Sequence, residues 1–383
     1  MVRFPRSGVL ISTALAMSAF ATTLPGADKS ISAAQRTAAI RHAQIWTQTD
    51  VRSMDIKAGP QHKDGFAPGE TVTCEYTDVK LGGNSPKFAC MLGEDRLKVR
   101  YGRTNGEVFA TVAATRLLWA LGFGADAAYP VHVVCHGCPS TLIGDGVPGA
   151  GETRFDAATV EWKMHGQEME VPSVGAGWAW PELDQVDDAA GGAPTAQRDA
   201  LKLLAVMLQH TDSKPEQQRL LCLDDKKKAD DEKDGKKKDD KNTHDKKDKK
   251  KMAADCGHPF MMIHDVGLTF GASNLLNRQT PGSVNLEEWR GAPVWKDAAR
   301  CIGNLPASQT GSLVDPLISE GGRRFLADLL ARLTDDQLRD LFTVARFADR
   351  VMPGGKSEGT KVDQWVEAFK KKRQEIEAVR CIG

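Results

Sequence analysis

The sequence predicts an α+β fold, with a β-rich first half and a helical second half. Three observations carry this expectation. Residues 70–164 hold short runs rich in β-branched and aromatic residues, broken by turn residues. From Pro194 onward, apolar residues recur at the i, i+3, i+4, i+7 spacing of a helix face. A Gly- and Pro-rich stretch, 165–194, separates the two halves. With 383 residues, 41% of them hydrophobic, the chain can bury a large core as one bilobal unit or two domains.

Composition excludes several classes. Lys+Arg and Asp+Glu are both 51, so the formal net charge is zero and a strongly basic nucleic-acid binder is not indicated. No apolar run approaches the roughly 18 residues of a membrane span. The chain starts MVRFPRSGVLISTALAMSAFATT. Arg3 and Arg6 precede an apolar stretch, and Ala19-Phe20-Ala21 fits a small-x-small cleavage site. Residues 1–21 therefore read as a secretory signal, with an uncleaved anchor as the alternative, and the protein is expected to be exported to a periplasm, envelope or exterior.

Eight cysteines follow this segment, and an even count in an exported chain favours disulfides. Eight cysteines allow about 105 connectivities. Cys135 and Cys138 are close in sequence, Cys222 and Cys256 flank a charged insertion, and Cys74–Cys90 would bridge a hairpin, leaving Cys301 with Cys381. Cys135-His-Gly-Cys138 lacks the following His of a c-type haem site. A zinc site there would have to borrow Cys256 and His258, since there is no second CxxC.

Elements follow in order. Residues 22–59 read as an N-terminal extension, mobile at its start and weakly helical over 34–47. TVTCEYTDVKL, KFACML and RLKVRY (within 70–101) read as three strands, the first two joined by a turn containing Gly82-Gly83-Asn84-Ser85-Pro86-Lys87. Residues 106–121 have helical period, with Val108, Val112, Thr115 and Trp119 near one face and Leu118 beside them. AYPVHVVC (128–135) and TVEWKM (159–164) read as strands. A helix starts at Pro194-Thr195 and runs to about Gln209, with Leu201, Leu204, Ala205 and Leu208 inward. LLCL (220–223) and PFMMI (259–263) read as a hairpin. Its connecting turn carries 224–251, in which 13 Lys and 10 Asp/Glu among 28 residues leave nothing to bury. That segment is expected to be a disordered, tolerated insertion rather than an electrostatic tether. Phe325, Leu326, Leu329, Leu330 and Leu333 line one late helix. Thr334 and Gln337 form a capping box for the next, with Leu338, Leu341, Phe342 and Ala345 inward. Residues 351–383 read as a charged helical tail.

The segment following the apolar helix is Gln209-His210-Thr211-Asp212-Ser213-Lys214-Pro215-Glu216-Gln217-Gln218, and the hairpin ends in His264-Asp265-Val266-Gly267. The order is helix, Asp-containing loop, hairpin, Asp-x-Gly. It resembles the catalytic half of a protein kinase, with its His-Arg-Asp-Leu-Lys-Pro-Glu-Asn loop and its metal-binding Asp-Phe-Gly. Asp212 and Asp265 are 53 positions apart, and 25 remain without the insertion. NGEVFATVAATRLLWALGFGADAAYPVHV and HDVGLTFG resemble segments of the atypical secretory-pathway (Golgi casein kinase-like) kinases, and HipA-like and lipid kinases share the plan. The resemblance spans roughly 70–350, with specific motifs at 98–123, 209–219 and 261–271.

The resemblance implies a bilobal kinase-like fold, with a β-rich N-lobe over 60–175 and a helical C-lobe over 176–350. It implies ATP and Mg²⁺ or Mn²⁺ as cofactors, and transfer of the γ-phosphate to a hydroxyl on a protein or glycan. Asp212 would accept the proton of the acceptor hydroxyl, and Lys214 would face the transferring phosphate. Asp265 and Gln217 would hold the metal. Lys98 would grip the nucleotide phosphates and pair with Glu107, while Gly83, Ser85 and Lys87 would cover them. The chain departs from the family at several positions. Thr211 replaces Arg, Gln217 replaces Asn, the turn lacks Gly-x-Gly-x-x-Gly, the 98–107 spacing is short, and no Ala-Pro-Glu follows Asp265. These departures leave open a kinase-shaped scaffold without turnover, or an envelope protein that uses no nucleotide at all.

Other residues have plainer readings. His210 and His264 read as packing or hydrogen-bonding groups, Met261 and Met262 as core filler, and Trp178, Trp180, Trp289 and Trp295 as packing rather than a sugar platform. Deleting 224–251 is expected to leave the thermal midpoint unchanged within about 2 °C. A loss of cooperative melting in that deletion would make the segment structural.

Overall fold

Strands β1 (Thr71–Thr77), β2 (Lys87–Leu92) and β3 (Asp95–Tyr101) follow one another as antiparallel hairpins, as their alternation predicts. The computed structural model describes residues 30–61, 64–140, 142, 147–148, 151–173, 175, 177–223, 256–271, 283–308, 311–352 and 359–382. The signal-like segment 1–21 and the insertion 224–251 lie outside the described residues. Strands β4 (Ala127–His136), β5 (Val147–Pro148) and β6 (Glu152–Trp162) complete a mixed sheet of order β3-β2-β1-β4-β6-β5. Pairing of β1 with β4 is parallel. Strand β3 also pairs with β6, so five strands close into a ring. Strand β6 is longer than the 159–164 expected from sequence.

The ring has its own core. Phe88, Leu97, Val99, Tyr101, Tyr129, Val131, Phe155 and Val160 fill it, from alternate positions in β3 and β4, while a register shift between β4 and β6 lets both Phe155 and Val160 face inward. The opposite face of β3 carries Lys98 and Arg100. Four disulfides form among the described residues: Cys74–Cys90, Cys135–Cys138, Cys222–Cys256 and Cys301–Cys381. The second of these uses up the cysteines of the conceivable zinc site. Such bonds favour an oxidising compartment. No helix of the described residues is long and apolar enough to cross a membrane.

Helix α1 (Ala33–His42) starts from a Ser32/Gln35 capping box, and α2 (Glu107–Ala120) follows β3. The periodicity of α2 predicts one buried face. Instead every residue but Trp119 is buried, because the helix is wedged between the strand ring and a second, larger core. The segment predicted as an N-terminal extension is part of that wedge. Ile31, Ile40, Ala43, Ile45, Val51 and Ile56 are buried, and Gln44 forms a parallel bridge to Phe260 while Trp46 bridges Phe123.

The larger core is mainly helical. It gathers α3 (Thr195–Leu208), α4 (Leu286–Gly291), α5 (Glu320–Leu330), α6 (Asp335–Val344) and α7 (Val362–Ala378). The Thr334/Gln337 capping box forms as expected. Strands β7 (Gln167–Glu168), β8 (Gln218–Cys222) and β9 (Pro259–Ile263) make a three-stranded antiparallel sheet, and β10 (Trp295–Asp297) pairs with β11 (Ile302–Gly303). The predicted tail is not peripheral. Trp365, Val366, Phe369 and Ile376 of α7 are buried, and Cys381 is tied to Cys301.

Trp365 packs its ring at 4.6 Å from Phe347, 5.7 Å from Trp289 and 5.8 Å from Phe342. Trp365→Ala is expected to cost about 3–5 kcal/mol, the range for emptying a fully buried aromatic site. Guanidinium unfolding followed by fluorescence or circular dichroism measures this. A cost under ~1 kcal/mol would mean that α7 is dispensable to the core.

Candidate active site

Strand alternation builds the floor of the site. Because Leu97, Val99 and Tyr101 face the ring interior, Lys98 and Arg100 share the other face, which looks toward α2 and the Asp-x-Gly segment. Lys98 lies directly across the ladder from Glu161 of β6, and its Nζ is 2.6 Å from Glu161 Oε2. Arg100 is fully buried, and its three nitrogens contact three different carboxylates. Nε donates to Glu161 Oε1, Nη1 to Glu107 Oε2, and Nη2 to Asp265 Oδ2 at 2.9 Å. The expected Lys98–Glu107 pair is therefore corrected: Glu107 binds Arg100, and Lys98 binds Glu161. The reason is reach. Lys98 stands opposite Glu161 in register, whereas Arg100, two residues on, is nearer the start of α2.

Glu107 sits in the first turn of α2, where the helix dipole favours a carboxylate. Gly267 packs against it. A Cβ on Gly267 would lie 3.0 Å from Glu107 Cγ, so the Asp-x-Gly glycine permits this close approach. Asp265 Oδ1 accepts from the Gly267 backbone N–H at 3.2 Å.

The loop after α3 supplies the other acid. Gln209 ends the helix in the left-handed region (φ 56°) and turns the chain into the loop. Gln217 Nε2 donates to Asp212 Oδ2 at 2.8 Å. Lys214 Nζ is 3.4 Å from the same oxygen. The Gln217 carbonyl accepts from the backbone N–H groups of His264 (2.7 Å) and Asp265 (3.1 Å). Gln217 thus links the two aspartates, with its side chain on one and its main chain on the other. The side chains of Lys98, Asp265, Asp212 and Lys214 keep 20–34% exposure, so they remain reachable above the buried Arg100.

The β1–β2 turn closes over the same cluster. Ser85 Oγ donates to Glu107 Oε2 at 2.9 Å, and Lys87 Nζ to Ser85 Oγ at 3.3 Å. Gly83 has φ +83°, and an added Cβ there would lie 2.7 Å from Lys87 Nζ. Burial, and then the nearby Arg100, lower the Lys87 pKa. Burial opposes charge on Arg100 too, but Asp265, Glu161 and Glu107 raise its pKa well above the ordinary value. Burial of Asp265 is outweighed by Arg100 and Lys98, which hold its carboxyl far below the usual range. Glu161 is likewise lowered: burial resists ionisation, and Arg100 and Lys98 overcome it.

The nine positions expected from sequence fall into two contact groups, Asp212, Lys214 and Gln217 around the loop and Glu107, Gly83, Ser85 and Lys87 around Arg100, with Asp265 bonded to both and Lys98 tied to Arg100 through Glu161. Two participants were not anticipated. Arg100 is signalled by the alternation of RLKVRY, which puts it on the same face as Lys98. Glu161 had no local signal beyond being a strand acid, since only the β3–β6 pairing brings it here.

The donor set suits a hard divalent cation. Carboxylate and amide oxygens from Asp265, Asp212 and Gln217 are the ligand types of Mg²⁺ and Mn²⁺. No group of three or more His, Cys, Asp or Glu side chains forms a metal cage among the described residues. A nucleotide-dependent Mg²⁺ site needs no such cage, because one or two carboxylates and substrate phosphates suffice.

The remaining candidates resolve as packing or hydrogen-bonding groups. His264 Nδ1 is 2.6 Å from the buried Asp126. Met261 and Met262 are buried, as are Trp178, Trp180, Trp289 and Trp295. A cavity of about 630 Å³, lined by residues including Trp180, Lys202, Leu317 and Cys381, holds none of the nine site residues.

No protein-family model matches the chain, and no curated protein does. Among solved structures, the chain is similar to the crystal structure of a Helicobacter pylori proinflammatory kinase, CtkA, at 11% identity and a TM-score of 0.39, over 82% of this chain and 96% of that one. At that distance the site's own geometry has to carry the functional reading.

His210, beneath this loop, is buried, and neither ring nitrogen has a hydrogen-bond partner among the described residues. Burial lowers its pKa to about 4 from 6.5, against the pull of Asp212 and Asp265. The unfolded chain therefore takes up this proton first as pH falls, and the folded state loses stability between pH 6.5 and 4. The loss from His210 is expected to be about 2 kcal/mol on going from pH 7.5 to 5, and His210→Gln should remove that component. Urea midpoints of both proteins across this range measure it. An identical slope in the variant would remove His210 as the source.

Proposed function

We propose that the chain is an exported, metal-dependent phosphotransferase of bilobal kinase-like architecture, moving the γ-phosphate of ATP to a hydroxyl on a protein or glycan. One observation carries this reading. The Asp212 loop and the Asp265-x-Gly267 segment meet through Gln217, and Asp265 in turn meets a strand cation, Arg100, that is paired with the first-turn acid of α2.

The chemistry follows from placement. Phosphoryl transfer requires charge neutralisation and in-line positioning more than covalent help. Asp212 would orient the acceptor hydroxyl and take its proton at a carboxylate oxygen. The Gln217 amide on Oδ2 restrains the carboxylate's rotation. Lys214 would offset charge on the transferring group. Arg100 and Lys98 would grip the phosphates, with the Gly83–Lys87 turn above them. Asp265, with Gln217 beside it, would hold the divalent ion, which when bound neutralises phosphate charge. The four disulfides support an exported setting, where ATP is scarce, so nucleotide supply would itself limit the reaction.

A second reading is a kinase-shaped binding protein without turnover. It is favoured by one feature: Arg100 already satisfies Asp265, and Gln217 and Lys214 already satisfy Asp212.

The test uses purified mature protein with Mn²⁺ or Mg²⁺ and ATP. Nucleotide-dependent thermal stabilisation and ATP consumption are expected for wild type. Asp265→Ala should abolish metal-dependent nucleotide binding. Asp212→Ala should spare binding and reduce turnover by 10²-fold or more, the usual scale for removing a general base. Stabilisation without turnover would favour the binding protein. Equal loss of binding in both variants would contradict the assigned roles.

A further inference from the structure

Building on the phosphotransferase reading, we propose that Arg100 competes with the divalent ion for Asp265, so that metal enters the site only when nucleotide phosphate has drawn the guanidinium away. Both oxygens of Asp265 are engaged: Oδ2 by Arg100 Nη2 at 2.9 Å and Oδ1 by the Gly267 N–H at 3.2 Å. A metal ion on Oδ2 would stand against a fully buried guanidinium, where like charges repel with little screening. The two cations therefore exclude one another on that oxygen.

Charge balance points the same way. Lys87, Lys98 and Arg100 face Glu107, Glu161 and Asp265, three cations against three carboxylates. Metal alone would leave the cluster positive, and a polyphosphate alone would leave it negative. Together they leave a smaller net charge than the polyphosphate does alone, so each favours uptake of the other. The guanidinium is built to move without leaving. Glu161 holds Nε and Glu107 holds Nη1, so only Nη2 needs to exchange Asp265 for a phosphate oxygen. A planar fork can hold three acceptors in fixed directions, which a lysine ammonium on a flexible stem does not.

The test measures Mn²⁺ alone, by the electron paramagnetic resonance signal of the free ion, and a non-hydrolysable ATP analogue, by calorimetry, on the full disulfide-bonded chain. Arg100→Gln is expected to bind Mn²⁺ alone at least tenfold tighter than wild type, and the analogue at least tenfold weaker. Adding Asp265→Asn to that variant should erase the gained Mn²⁺ binding. Arg100→Lys keeps the charge and shortens the reach. It should also tighten Mn²⁺ binding, and it carries the comparison if the glutamine variant does not fold. In wild type, Mn²⁺ and the analogue should each raise the other's affinity by the same factor. Equal Mn²⁺ affinity in wild type and the Arg100 variants, with analogue binding intact in wild type, would overturn the competition and leave the phosphotransferase reading standing. Failure of wild type to bind the analogue with or without metal would overturn both.

Discussion

Arg100 is the connection on which the rest of the site depends. Its guanidinium joins β3, β6, the start of α2 and the Asp265 segment through three carboxylates. An isolated buried charge is costly, and so is each buried carboxylate. Held together, they satisfy one another, and removing any one member exposes the others' desolvation penalty. The arrangement therefore fixes the spacing between the strand ring and the larger core at the point where Asp265 emerges.

That spacing is set again by packing. Helix α2 is buried on all sides, with its N-terminus against Gly267 and its C-terminal end against the 43–47 segment. Gly124, just beyond it, faces Phe260 and Met262 of β9, where a Cβ would lie 2.5 Å from the Phe260 ring. A helix held at both ends cannot tilt without disturbing β9, and β9 leads directly into His264 and Asp265. Arg346 adds a third tie, donating to the carbonyls of Asp156 and Ala158 in β6 from the helical side. Position of the strand cations relative to the loop acids is thus a property of the whole core rather than of any one motif.

The Asp212 loop is held from behind as well as from the cleft. Ser213 is fully buried; its hydroxyl accepts from Leu313 N–H, and its carbonyl accepts from Ser312. Trp180 stacks edge-on near His210, and its backbone N–H donates to Ser312. These contacts leave Asp212 and Lys214 as the loop's exposed side, under the proposed reading the side that meets the acceptor.

Local patterns in the sequence determined much of this. The β1–β2–β3 hairpins, the helical period of α3 and the Thr334 capping box depend on neighbours within a few residues, so period and turn chemistry suffice to read them; β8 and β9 are legible as strands, but their pairing spans the charged insertion. The order of Asp212 and Asp265 was legible for the same reason. The partner of each charge was not. Lys98 and Arg100 are equivalent by local pattern, and only the pairing of β3 with β6 puts Glu161 opposite Lys98 and leaves Arg100 to Glu107 and Asp265. Residues 30–59 and 362–378 looked peripheral because weak or charged helices give little local signal, yet distant surfaces bury them. Sequence determined which residues share a face, since backbone period is local. Tertiary structure decided which faces meet, since that depends on strand pairing and close packing across the chain.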